Sequence, residues 1–156
     1  PYYHATLFQE KKRANTSYLY DQDQNGRFFI RCSECREPDT EADHYIVHFS
    51  LVSERMEGGD VYITGDLFNN ILDNRNRMEY NNETGAYEKA VMLKQGLYNY
   101  QYAFREKGGS QTTLNQTEGN FFETENEYAI AVYYRPIGAR YDRLIGAKTI
   151  SNRVSP

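Results

Sequence analysis

The sequence predicts an all-β fold, an antiparallel immunoglobulin-like β-sandwich close to the carbohydrate-module type. Alternation of apolar and polar residues with a period of two recurs along the chain, and no window shows a convincing helical period. Tyr occurs 15 times and Phe 8 times, with no Trp, a composition that suits the half-buried face of a sheet. Turn-forming clusters of Gly, Asn and Asp separate the short alternating runs, as in a sandwich.

The clearest strands lie in the middle of the chain. Residues 45–52 are apolar on both faces, which predicts a central strand. Residues 81–85 are turn-forming and join two other runs as a hairpin. The other strands are predicted at 61–65, 78–80, 87–93, 97–104 and 127–134, with weaker candidates at 2–9, 17–20, 27–31 and 141–145.

The domain organisation follows from the length and from where these runs lie. A chain of 156 residues is long enough for one domain with a proper core. We expect residues 41–156 to form the immunoglobulin-like sandwich. Residues 1–40 form a strand-rich arm, which either completes the sandwich or packs against a preceding domain. Because the chain begins with Pro1 and no signal peptide, we expect an excised or processed piece.

Charge and hydropathy exclude two classes of partner. The net charge is −4, and acidic and basic residues are interspersed, whereas a nucleic-acid binder needs a basic face that displaces phosphate counterions. No apolar run approaches the roughly 20 residues that span a bilayer. We therefore expect no nucleic acid partner and no membrane-spanning segment.

A stretch near the N-terminus begins like a calcium-binding loop. Asp21, Asp23 and Asn25 occupy the first, third and fifth places of an EF-hand loop, and Gly26 the sixth. The twelfth place, which needs a bidentate Glu, holds Cys32. Since Asn and Gly both tolerate positive φ, the stretch is predicted to be a tight turn that leads into a strand.

Cys32 and Cys35 form a lone C-x-x-C pattern. A zinc site needs further ligands that the chain does not offer. A thioredoxin-type site needs a helix N-terminus at its first Cys, and residues 36–38 predict no helix. Three interpretations stay open: inert or locally bridged cysteines, a labile redox pair, or a metal site completed by outside ligands.

The remaining chemistry-bearing residues form no constellation. His44 and His48 face the same side of a strand but lie about 13 Å apart, too far to share one ion. His4 has no identifiable partner. None of the nucleophile, phosphate-loop, dinucleotide or zinc-protease motifs occurs. The sequence therefore predicts a protein that is not an enzyme and that holds no cofactor and no metal.

The middle of the chain resembles glycogen- and starch-binding modules of the early-set immunoglobulin-like kind. The matching blocks lie at 61–69, 78–80, 84–88, 95–102, 119–120 and 126–132. The resemblance implies the fold and an alternative function, recognition of an α-glucan. Ile71 stands where such modules usually have a sugar-stacking Trp, and Gln101 replaces a common basic residue. The residues that this alternative assigns to sugar are Tyr98, Tyr100, Tyr102 and Asn126, the tyrosines being otherwise core or sheet surface.

A second resemblance covers nearly the whole chain. Its blocks lie at 23–31, 41–49, 65–69, 117–127 and 132–146, the last reading Val-Tyr-Tyr-Arg-Pro-Ile-Gly-Ala-Arg-Tyr-Asp-Arg-Leu-Ile-Gly. Together they resemble the C-terminal portion of the type IX secretion system plug protein family, long carried as a domain of unknown function. The resemblance implies a periplasmic module that closes the inner mouth of a large outer-membrane translocon barrel. It implies no catalytic step, and we expect no small-molecule ligand. An oxidising periplasm permits a bridge between Cys32 and Cys35.

Within the last block, one loop is the expected site of partner contact. Three arginines and a tyrosine follow a strand within nine residues, the mixture enriched at interface hot spots. The alternative is that these charges pair with each other or cap the edge of the sandwich. The predicted partner-binding residues are Arg135, Arg140, Tyr141, Asp142 and Arg143.

Overall fold

A computed structural model describes residues 2–14, 16–20 and 23–151. Nearly all of the regular structure in these ranges is β, which confirms the all-β prediction. The two exceptions are a one-turn helix α1 (Pro38–Glu41) and a 3-10 helix (Asp66–Phe68). The strands are β1 (Tyr3–Thr6), β2 (Glu10–Lys11), β3 (Phe28–Ile30), β4 (His44–Val52), β5 (Gly59–Thr64), β6 (Glu79–Asn81), β7 (Ala86–Lys94), β8 (Gly96–Tyr98), β9 (Gln101–Glu106), β10 (Thr112–Thr113), β11 (Glu127–Tyr134) and β12 (Arg143–Ser151).

The chain forms two compact units, Pro1–Asn120 and Phe121–Pro156. The first unit contains β1 to β10 and the second contains β11 and β12. The predicted arm of residues 1–40 contributes β1, β2 and β3 to the first unit. Its separation from the sandwich near residue 40 stays a prediction.

The largest sheet of the first unit has the strand order β1-β4-β7-β6, and β2 also pairs with β4. Strand β4 has neighbours on both sides, as predicted for a central strand. Strands β6 and β7 pair antiparallel across residues 81–85, so the predicted hairpin is confirmed.

The prediction of a purely antiparallel fold is wrong for β1 and β2. Both pair with β4 in parallel, with Tyr3 opposite Tyr45 and Glu10 opposite Leu51. Parallel neighbours need a long crossover connection. The long stretch of chain between β2 and β4, which includes β3 and α1, provides one.

The predicted strand at 97–104 is broken in the structure. Strand β8 ends at Tyr98 and pairs with β3, whereas β9 begins at Gln101 and lies in a second sheet of order β10-β9-β5. Asn99 makes the break, because its side-chain Oδ1 accepts a hydrogen bond from the backbone of Gln24 (2.7 Å) and its N–H donates to Arg27 O (3.1 Å). Asn99 is therefore hydrogen-bonded to the turn at residues 24–27 instead of to a neighbouring strand.

The core of the first unit lies between residues of both larger sheets, an arrangement consistent with a β-sandwich. Strand β4 contributes Phe49 and Leu51, and β5 contributes Val61 and Ile63, all at most 2% exposed. Period-two alternation puts these side chains on the inner faces. The other buried members of the cluster are Phe68, Met78, Tyr87, Tyr102 and Phe104.

A buried polar cluster ties the N-terminal segment to β9. Glu118 is 9% exposed; its Oε1 accepts a hydrogen bond from Tyr102 N (2.7 Å) and its Oε2 one from Arg13 Nε (2.8 Å). The hydroxyl of Thr117 donates to Tyr102 O. These buried polar groups therefore have partners, as stable interiors require.

The turn predicted at Asn25 and Gly26 is confirmed. Both residues have positive φ, 56° and 75°. The backbone N–H of Arg27 donates to Gln24 O at 3.3 Å and closes the turn. Two consecutive positive φ values are the signature of the tight turn that Asn-Gly favours.

The calcium-like pattern has a structural explanation in its described part. The carboxylate of Asp23 accepts a hydrogen bond from Asn25 N at 3.0 Å and so supports the turn. Asp21 and Gln22 lie outside the described residues. Within the ranges that the structure describes, no three His, Cys, Asp or Glu side chains are grouped to hold a metal ion.

Three local predictions are wrong. Residues 17–20 form no strand. The last strand spans Arg143–Ser151 rather than 141–145, because it follows its partner β11 to the end. Residues 36–38, expected to offer no helix, lead directly into α1; Pro38 fits its first turn, where no backbone N–H is needed.

Cys32 and Cys35 are joined by a disulfide with a Cα–Cα distance of 5.3 Å. The bond closes a very short loop, so chain entropy limits its effect. Changing both cysteines to Ser is expected to lower the free energy of unfolding by about 2 kcal/mol or less. Urea denaturation of both proteins measures this difference. A loss well above that value would mean that the bond also supports tertiary packing.

Candidate partner-binding hairpin

The second unit is built around a long antiparallel hairpin of β11 and β12. The pairing runs from Glu127 opposite Ser151 to Tyr134 opposite Arg143. A register shift after Val132 leaves one extra residue in β12, which is a β-bulge. Every residue of both strands is exposed.

The two faces of this hairpin differ in character. One, here called the apolar face, carries Tyr128, Ile130, Val132 and Ile150, each between 45% and 53% exposed. It also carries Lys148, which lies opposite Ile130. Tyr128 lies directly opposite Ile150. The other, here called the small-residue face, carries Ala129, Ala131 and Ala147 along the same stretch, because successive side chains alternate across a strand.

The loop that joins the strands, residues 135–142, is closed by an ion pair. Arg135 Nε donates to Asp142 Oδ1 at 2.7 Å and its Nη2 donates to Oδ2 at 2.9 Å. This two-bond geometry also raises the pKa of Arg135 above its usual value. Gly138, with φ of 85°, and a hydrogen bond from Ala139 N to Pro136 O (3.0 Å) form the turn.

Beyond that ion pair the loop presents apolar and basic groups to solvent. Ile137 is fully exposed. The guanidinium of Arg143 lies 5.6 Å from the ring centroid of Tyr141, a cation–π arrangement. Arg140 is exposed. Residues 127–151 contain four basic and two acidic side chains, so the hairpin is positive within a chain of net charge −4.

The loop residues predicted to bind a partner are therefore together at one end of the hairpin. The alternative, that Arg140, Asp142 and Arg143 pair with one another, differs from the structure, in which Asp142 pairs with Arg135. Sequence reasoning missed the apolar face. Its signal was the alternation of Ala with larger apolar residues at 128–132, which was interpreted as a strand of the sandwich.

The residues assigned to a sugar site do not form one exposed platform. Tyr102 is 3% exposed and lies in the core. The ring of Tyr98 stacks on Phe28 at 5.3 Å, and the Tyr100 hydroxyl donates to Glu10 at 3.1 Å. Burial raises the pKa of the Tyr100 and Tyr102 hydroxyls above the usual value. The break at 99–100 separates Tyr98, on β8, from Tyr102, on β9, whereas the rings of Tyr100 and Tyr102 remain in contact with centroids 5.7 Å apart.

Asn126, the fourth residue of that proposed site, belongs to the second unit. Its side-chain amide donates a hydrogen bond to Thr124 O at 3.2 Å. This contact is local to the segment before β11.

Comparison with known proteins is informative at the level of structure. No family model matches the chain, and no curated protein matches it. A similar solved structure is that of a hypothetical protein from Parabacteroides merdae ATCC 43184, a crystal structure at 2.30 Å resolution. The two chains are 58% identical with a TM-score of 0.90 over 97% of this chain. This chain spans 38% of the length of that protein.

One further finding concerns membranes. Among the described residues, no helix has the length and apolar character needed to cross a bilayer.

Proposed function

We propose that this chain is a non-catalytic protein-binding module, an immunoglobulin-like β-sandwich whose β11–β12 hairpin is the contact element. The observation that supports the proposal is that every residue in both strands of a hairpin with a largely apolar face is exposed. A two-stranded hairpin is marginally stable alone in water, and it gains stability when an apolar face is covered. Contiguous exposed apolar surface marks sites of interaction.

The partner class follows from the family resemblance. The most specific resembling block, residues 132–146, spans the end of β11, the loop and the start of β12. The module is therefore proposed to act as the periplasmic plug of a type IX secretion system. Its partner is the large outer-membrane translocon barrel, whose inner mouth it occludes.

The chemistry of the hairpin suits such a partner. The apolar face offers side chains that a protein surface can bury, and covering the exposed half of each contributes about 1 kcal/mol. Arg140 in the loop and Arg143 at the start of β12 can pair with acidic groups at the rim of a contact and accelerate association. Tyr141 supplies an aromatic ring, the group most frequent at energetic hot spots.

An affinity capture from detergent-solubilised envelope tests the proposal. The tagged protein is expected to recover a very large outer-membrane barrel. A variant with Arg140, Tyr141 and Arg143 changed to Ala is expected to recover at least tenfold less, since hot-spot truncations cost about 2 kcal/mol or more. The matched control changes Tyr20, Arg31 and Arg36 to Ala, an exposed tyrosine and two exposed arginines of the first unit.

The outcomes test the identity of the partner and the position of the contact site separately. Failure of the unchanged protein to recover a barrel would remove the plug proposal. Equal recovery by the loop variant would keep the partner but assign its contact elsewhere. If the control variant with Tyr20, Arg31 and Arg36 changed to Ala also recovered less barrel, the reduction would reflect a general loss of surface charge and aromatic groups.

A further inference from the structure

Two histidines on neighbouring parallel strands of the first unit are hydrogen-bonded to each other. His4 lies on β1 and His48 on β4, and His4 Nδ1 and His48 Nε2 share one proton across 2.9 Å, the donor being set by the tautomer. The ring centroids are 5.3 Å apart with an interplanar angle of 19°. The sequence analysis found no partner for His4, because the parallel pairing of β1 with β4 was not predicted.

The nitrogen separation has a consequence for metal binding. Imidazole binds divalent late first-row metals at about 2.0–2.1 Å. An ion that takes the place of the shared proton, with the nitrogens kept 2.9 Å apart, would be bound with an angle of about 90° between the two nitrogens. A tetrahedral ion such as Zn²⁺ needs about 3.3 Å between the nitrogens. The right angle instead matches neighbouring corners of a square-planar or tetragonal site, the geometry that Cu²⁺ prefers.

The surroundings of the pair favour a cation. His48 lines a groove of about 1020 Å³ on the larger sheet, together with Glu79, Glu83 and Glu88 and one basic residue, Lys89. The side chains of Asn81 and Thr84 donate hydrogen bonds to Glu88 and lower the pKa of its carboxyl. The groove therefore carries negative charge at neutral pH. A surplus of carboxylates in a groove that His48 also lines raises the local concentration of metal cations.

We propose that His4 and His48 form a two-histidine site for divalent copper. The two imidazoles occupy neighbouring positions of the ion, and water fills the other two positions in the plane. His4 is exposed and His48 is half-buried, so the ion can enter from solvent. Because the ligands lie on different strands, bound copper also holds β1 against β4. The proposal is independent of the hairpin and of its partner.

Titration of the protein with Cu²⁺ alone, by calorimetry and electron paramagnetic resonance, tests the proposal. We expect one site per chain, with hyperfine coupling to two imidazole nitrogens. His4→Gln and His48→Ala should each weaken binding about tenfold or more, because the sheet holds the second ligand at a high effective concentration. Zn²⁺ should bind more weakly than Cu²⁺.

His44→Ala is the matched control. His44 is exposed, lies on β4 and faces the same side as His48, but it pairs with Lys94 rather than with a histidine. We expect this variant to bind copper as the unchanged protein does. His4→Gln keeps a polar side chain at an exposed position, so it is not expected to disturb the fold, which circular dichroism checks.

Three results would overturn the proposal. The first is unchanged copper binding in His4→Gln, in His48→Ala or in both, because the proposal requires each variant to lose binding. Another is an equal loss in His44→Ala. The third is a resonance spectrum with coupling to a single nitrogen.

Discussion

Asn76→Ala is expected to lower the free energy of unfolding by about 3 kcal/mol. Asn76 is fully buried, and its side chain makes three hydrogen bonds. Its amide donates to Ile63 O and Ile71 O, both at 2.8 Å, and its Oδ1 accepts from Asp73 N at 2.9 Å. The substitution leaves three backbone groups without their partner, of which the contact with Ile63 O is buried and the other two are partly buried. A buried unsatisfied group costs about 1–3 kcal/mol.

Equilibrium denaturation in urea, followed by tyrosine fluorescence, measures this loss. Asn74→Ala is the matched control, since Asn74 is exposed and two residues away. A surface change of this kind is expected to stay within about 0.5 kcal/mol. If Asn76→Ala proved as stable as Asn74→Ala, water or a rearranged loop would have to satisfy the three backbone groups.

The role of Asn76 could not be predicted from the sequence. Several asparagines occur between residues 69 and 82, and nothing in the local pattern separates Asn76 from Asn74. The difference comes from partners on β5 and in a neighbouring loop, which only the folded chain brings near. Local patterns carry no information on such contacts.

The difference between local patterns and contacts of distant segments also explains which strands were predicted. Strands β4, β7 and β11 are long and rich in apolar and aromatic residues, so the local sequence identified them. The parallel pairing of β1 and the break at Asn99 depend instead on contacts between distant segments. The disulfide was one of several open interpretations of C-x-x-C, because spacing alone does not set the state of two cysteines.

The candidate site was also predicted in part, for the same reason. The mixture of arginines and tyrosine at 135–143 indicated a contact loop, and these residues do lie together. The pairing of Asp142 with Arg135 rather than with Arg140 or Arg143 required the geometry of the turn. The apolar face was missed because alternation predicts a half-buried strand without saying what covers it.

Changing Tyr128, Ile130 and Val132 to Thr is expected to weaken binding of the proposed partner about hundredfold. Each apolar side chain is about half exposed in the chain, and covering that part contributes about 1 kcal/mol. Three such losses approach the 2.7 kcal/mol that corresponds to about two powers of ten in Kd. Threonine keeps the preference for strand structure, so the hairpin itself is expected to persist.

The measurement is the Kd for the barrel recovered in the capture experiment, with Ala129, Ala131 and Ala147 changed to Thr as the matched control. The control introduces the same three residues on the small-residue face, so it separates loss of the apolar face from general disturbance of the hairpin. Because the changed residues are exposed, the free energy of unfolding should shift by only about 0.5 kcal/mol per site in either variant. Weakening in the control alone would assign the contact to the small-residue face, where added bulk excludes a closely approaching partner. Equal, unchanged affinity in both variants would leave the loop as the contact and contradict a role for the strands.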